Sequence, residues 1–162
     1  SLKQQGASTR KSSESALNNS SWKTYSSAKY KFSFKYPPYL FIRSDARDEF
    51  IGFLERPNEN SSQRIVVSVG NNPQNIELQE FAMENSPIPD DRENVRYEKT
   101  KMNGYPALII RFEHPCLGAC PNEKVYKSFL VAVQGNGFIV SFSDEKGDEV
   151  LVNQIISTFV IL

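Results

Sequence analysis

The sequence predicts an α+β domain, an antiparallel β-sheet of about six to eight strands with helices packed on its faces. Three observations carry that expectation. Aromatic side chains alternate with polar ones around Tyr30 to Tyr36, the period of a half-buried strand. Two compact turn signals, Asn103-Gly104 and Gly135-Asn136-Gly137, each stand between strand-like segments. Near the C-terminus, Val152, Ile155, Ile156 and Phe159 recur at i, i+3, i+4 and i+7, which is one face of a helix.

The composition narrows the class further. A chain of 162 residues can close one core, burying roughly 70% of its unfolded surface. Eleven Phe and seven Tyr against two Met and one Trp favour strands, because rings pack well on a pleated surface. Nineteen Lys plus Arg balance nineteen Asp plus Glu, so the basic excess of a phosphate-backbone binder is missing and nucleic acid is not the expected partner. That zero is a sum of unlike parts. Residues 1–21 hold seven Ser and a net charge of +2, with only Leu2, Ala7, Ala16 and Leu17 apolar, and read as a flexible tether. Residues 22–162 carry a net charge of −2 and read as the single folded domain. No apolar run approaches the ~18 residues that span a bilayer. The sequence starts at Ser, and a Ser-rich tether before a compact domain suits an exported protein with a lipid anchor upstream.

Each element then has its own signal. Tyr30, Phe32, Phe34 and Tyr36 alternate with Lys29, Lys31, Ser33 and Lys35, which would set four rings on one face of a strand and three ammonium groups on the other. Pro37-Pro38 ends that ladder, since neither proline can donate, and Tyr39 to Ile42 resumes as a short apolar run. Phe50 to Leu54 and Arg64 to Val69 read as strands, the second with Ile65, Val67 and Val69 on one face. Asn75 is the expected cap of a short helix bearing Leu78, Phe81 and Ala82, ended at Asn85-Ser86-Pro87. Val95 to Phe112 reads as a hairpin, because Asn103-Gly104 supplies two positive φ angles. A second hairpin follows from Val125 to Val133 and Phe138 to Phe142. The last helix is expected over roughly 148–157 with Asp148 at its positive end, before a short closing strand over 158–162.

Candidate chemistry is sparse. Cys116 and Cys120 flank Leu-Gly-Ala in one loop and could close a small disulfide in an oxidising compartment; free thiols remain the alternative. A zinc site would need His114, both cysteines and a carboxylate such as Glu123, but structural zinc sites bring two separated pairs together. The redox motif has two intervening residues at a helix start, whereas this loop joins strands. His114 is the only histidine, which leaves little from which to build a general base or proton shuttle. The acidic groups at Asp45, Asp48 and Glu49, at Asp90, Asp91 and Glu93, and at Asp144, Glu145, Asp148 and Glu149 lack the spacing of a calcium loop and read as solvated turns and helix starts. Lys29, Lys31 and Lys35 form a candidate interaction surface, although lysine on an exposed strand also guards against edge pairing. Asn18, Asn19 and Asn60 open glycosylation triplets.

With Trp22-x-x-Tyr25 leading into YKFSFKYPP, then NGYPALIIRFE, and a helix running into ISTFVIL, residues 22–162 resemble the PsbP-like family. The resemblance implies an antiparallel sheet between helices. It also implies an extracytoplasmic, non-enzymatic binding role; the family includes a lumenal photosystem subunit, a Ran-binding protein and bacterial exported lipoproteins. It supplies no functional residue, and the CLGAC loop departs from its pattern. The expected protein is thus an exported, lipid-anchored binding module without catalytic residue, cofactor or metal. Its partner would be another protein or a membrane-surface complex, with the chain itself a monomer. The periplasm or cell surface is the expected location, with the thylakoid lumen and a stabilising role at a photosynthetic complex as the alternative. A hydrolase or metal enzyme around His114 is the third reading.

Overall fold

The computed structural model describes residues 19–57, 63–84, 92–114, 126–144 and 147–162. After one 3-10 turn at Asn19–Ser21 come β1 (Lys23–Ser27), β2 (Phe32–Tyr36), β3 (Phe41–Ser44), β4 (Phe50–Leu54), β5 (Gln63–Asn71) and α1 (Leu78–Glu84). They are followed by β6 (Glu93–Met102), β7 (Tyr105–His114), β8 (Tyr126–Gln134), β9 (Phe138–Asp144), α2 (Glu149–Ile156) and β10 (Val160–Ile161). The fold is α+β, as expected, but the single sheet is two. One sheet has the order β3-β4-β5-β9-β8-β7-β6 and the other β1-β2-β10, and the paired strands are antiparallel.

The small sheet and α2 cover one face of the large one. Phe32, Phe34 and Tyr36 of β2 meet Ile51 and Phe53 of β4, Ile65 and Val67 of β5, and Phe142 of β9, with Val152, Ile155 and Ile156 of α2. Rings dominate that layer: Phe34 packs edge-on to Phe142 at 5.4 Å between centroids, and Tyr36 lies 4.8 Å from Phe53. The opposite face is covered by α1, whose Leu78 and Ala82 pack on Leu108, Ile110, Ala132 and Ile139. Alternation explains the split, since Val131 and Val133 point to one face and Ala132 to the other.

Several expectations change in detail. The aromatic strand starts at Phe32, because the β1–β2 connection turns with the Lys31 N–H donating to Ser27 O at 3.0 Å and Lys31 at φ 57°. Lys29 and Lys31 therefore lie in the turn, and only Lys35 belongs to the strand. The closing strand β10 joins the small sheet against Ser33 and Phe32. Asn75 does not cap α1: at φ 50° it accepts the Gly137 N–H at 3.0 Å and ties the approach to the β8–β9 turn. Glu77 takes the capping role, its carboxylate accepting the Glu80 N–H at 3.4 Å. The two hairpins form where expected, with Asn103 at φ 50°, Gly104 at φ 84° and Gly137 at φ 77°. Asp148 caps α2, accepting the Leu151 N–H at 3.1 Å.

Candidate interaction surface

The end of the molecule where β1, β2 and the β3–β4 hairpin meet is built by acidic loop residues 45–49. Asp45 accepts the N–H groups of Glu49 at 3.0 Å and Phe50 at 3.3 Å and so closes its own loop. Partial desolvation opposes ionisation there, but these backbone donors hold its carboxyl below the ordinary value. Asp48, at φ 62°, accepts hydrogen bonds from the Tyr25 hydroxyl and, at 2.6 Å, from Ser27 Oγ. Burial, then the Asp48 hydrogen bond and charge, push the Tyr25 phenol well above its usual range. Lys29 Nζ donates to Glu49 Oε1 at 2.7 Å, and this bond lowers the glutamate and raises the lysine. Asp45 thus stays in an exposed turn, as expected, whereas the half-buried Asp48 and Glu49 bolt that turn to β1 and to the β1–β2 turn, which corrects the expectation for those two.

Two arginines are equally committed. Arg64 joins Asp144 at 2.9 Å, Glu55 at 2.8 Å and Asp148 at 3.3 Å, bracing β5 and β9 against the start of α2. The Asp144 side chain is fully buried in this clamp. Arg111 bridges Glu98 and Glu149, whose hydrogen bonds raise its guanidinium further. Among the described residues no cluster of His, Cys, Asp and Glu could hold a metal ion. His114 ends β7 in register with Tyr126. Cys116, Cys120, Glu123, Asp90, Asp91 and Glu145, and with them the expected disulfide, lie outside the described residues. Of the three lysines, Lys29 is paired, while Lys31 and Lys35 are exposed.

Strand β3 is different. Every residue of it is exposed, and Tyr39, Phe41 and Ile42 show 55%, 43% and 42% of their surfaces, too much apolar area in one place for scattered exposure. A groove of about 450 Å³ runs along this strand. Tyr36, Leu40, Phe41, Ile42, Leu54 and Pro57 give it apolar walls, and Lys23 and Arg43 add two cations. Lys23 shares its side of β1 with the core-facing Tyr25 and Ser27, so its charge is turned toward the groove. Sequence reasoning marked Tyr39 to Ile42 only as an apolar run. Nothing in four residues tells a buried strand from an open edge.

These two sheets, with α2 on the face they share and α1 behind, define a PsbP-like α+β domain. Solved structures similar to it include the following three. PsbP of the cyanobacterium Synechocystis matches over 91% of this chain and 96% of its own, at TM-score 0.57 and 14% identity. The Saccharomyces cerevisiae Ran-binding protein Mog1p matches over 86% and 95%, at TM-score 0.54 and 10% identity. A Bacteroides thetaiotaomicron protein matches over 86% of this chain at TM-score 0.56 and 13% identity, and this chain spans about half, 48%, of that one. At such identities the likeness establishes the fold. No family model and no curated protein matches the sequence.

Proposed function

We propose that the protein is a non-enzymatic binding module that docks a partner protein at β3. The observation that carries this reading is the apolar groove beside an exposed strand, on a hairpin whose far turn is tied to β1 and to the β1–β2 turn by the Asp48 and Glu49 bonds. Support of a weaker kind comes from the fold, since one similar structure belongs to a Ran-binding protein. A photo-crosslinker at Phe41 in the source cells, compared with one at the exposed Val150 of α2, tests it. Adducts specific to position 41 are expected; equal labelling at both positions would refute the reading.

The location we propose is extracytoplasmic, with residues 1–21 as a tether to a lipid anchor. Cell fractionation of the full-length protein with a fatty-acid label should place it with membranes, and an unlabelled cytosolic protein would contradict this. In that compartment Cys116 and Cys120 form a disulfide. Alkylation should then add mass only after reduction. A second reading assigns Lys29, Lys31 and Lys35 to an anionic surface at a membrane complex, favoured by the exposure of Lys31 and Lys35. Replacing Lys31 and Lys35 by Glu should then release the protein from membranes, and unchanged association would remove that reading.

A further inference from the structure

The hydrogen-bond pattern of β4 determines which backbone groups of β3 are free. Asp45 donates to Phe50 O at 3.1 Å, and Val69 donates to Glu49 O at 2.8 Å. Bonded pairs alternate along antiparallel strands. With Phe41 opposite Leu54 and Arg43 opposite Gly52, Phe41 and Arg43 bond to β4, while Ile42 and Ser44 turn their N–H and C=O groups away from it. The other side of β4 agrees, because counting from Glu49 and Val69 assigns Ile51 and Phe53 to β5. Strand β3 ends the order of the large sheet, so among the described residues no strand pairs with the polar groups of Ile42 and Ser44 and they face an open edge. Such an edge is a template for one more strand.

The chemistry around the edge selects what that strand would be. Tyr36, Leu40, Phe41 and Leu54 offer apolar contacts beside it, and Lys23 and Arg43 have no ion pair among the described residues. A second copy of the chain paired edge to edge would set these cations against their own counterparts. Residues 1–21 carry a net charge of +2 and meet the same repulsion. A guard against aggregation needs charge alone, whereas here charge flanks an apolar groove. We propose, building on the reading that β3 docks a protein, that the edge takes up an extended partner segment of alternating apolar and acidic residues by strand addition. Ile42 and Ser44 supply the main-chain bonds, the groove receives apolar side chains, and Lys23 and Arg43 meet carboxylates.

A fluorescent peptide of alternating Val and Glu, titrated into the full chain, tests this against the same peptide with Lys for Glu. The acidic peptide should bind at least roughly tenfold more tightly, less so at high salt. The double variant Lys23→Glu, Arg43→Glu should reverse the order. Ser44→Pro removes an outward N–H, which an edge strand tolerates, and should weaken the acidic peptide with thermal melting unchanged. If that variant does not fold, N-methylation of the peptide removes the same main-chain bonds without touching the protein and should weaken binding equally. Equal affinity for the two peptides would overturn the proposal. Binding that depends on Phe41 and Arg43 but ignores both Ser44→Pro and N-methylation would overturn strand addition while leaving the docking face intact. Binding insensitive to Phe41→Ser would refute the docking face as well. Dimerisation by light scattering that is abolished by Ser44→Pro would assign the edge to a second copy instead.

Discussion

Asp48 is the residue on which the β3 corner depends, because it takes one hydrogen bond from β1's Tyr25 and another from Ser27 while sitting at φ 62°, a conformation Asp tolerates better than most side chains. Tyr25→Phe deletes one of these donors and should cost about 1 kcal/mol in urea unfolding. Asp48→Asn keeps the backbone tolerance but replaces one acceptor with a donor, and should cost a similar amount, about 1 kcal/mol. The pH dependence has a definite sign. Glu49 and Asp45 titrate below their ordinary values in the fold, so the stability they confer is present above the unfolded carboxylate range, about 4. It is lost as pH falls through the lower folded values. Lys29→Ala frees Glu49, so the variant's urea midpoint should fall less steeply on acidification than that of the parent. None of this was legible in residues 45–49, because spacing along the chain carries no information about a hydroxyl delivered from residue 25 or 27.

At the scale of elements, what the sequence shows clearly is what short-range chemistry decides. Asn103-Gly104 made its hairpin because both positions need positive φ, and Asp148 made a cap because a carboxylate there reaches the Leu151 N–H. Gly104→Ala meets no neighbour at its new Cβ, so its cost is backbone strain alone, about 1 kcal/mol in the unfolding free energy. Asp148→Ala loses the cap and the contact with Arg64, and about 1 kcal/mol of stability by the same measurement. Strand β1 carries no strand signal of its own, because Lys23–Ser27 holds a single large apolar side chain, Tyr25. Its pairing with β2 from Lys23↔Tyr36 to Ser27↔Phe32 supplies what its own pattern lacks. Strand β2 starts two residues later than the alternation predicts for the converse reason: Tyr30 continues the aromatic pattern and is buried, yet it does so from a turn.

Across the whole molecule, Phe159 joins the layers. It is fully buried, 5.5 Å from Phe32 of the small sheet, 5.6 Å from Tyr105 and 6.1 Å from Phe142 of the large one. Phe159→Ala should therefore cost about 3–5 kcal/mol, in a single unfolding transition that both near- and far-ultraviolet dichroism follow. The two-layer core was foreshadowed by the aromatic content, but its division between two sheets was not, since alternation assigns faces and never partners. The same limit hid the proposed docking edge, since the short apolar run Tyr39 to Ile42 carries no sign of whether it is covered, and the structure exposes Tyr39, Phe41 and Ile42. Amide hydrogen exchange, with and without the Val/Glu peptide, tests most directly whether that edge is where the protein binds. The account predicts new protection at Ile42 and Ser44 and no change at Phe41 and Arg43, which already bond to β4; protection elsewhere with Ile42 and Ser44 unaltered would contradict it.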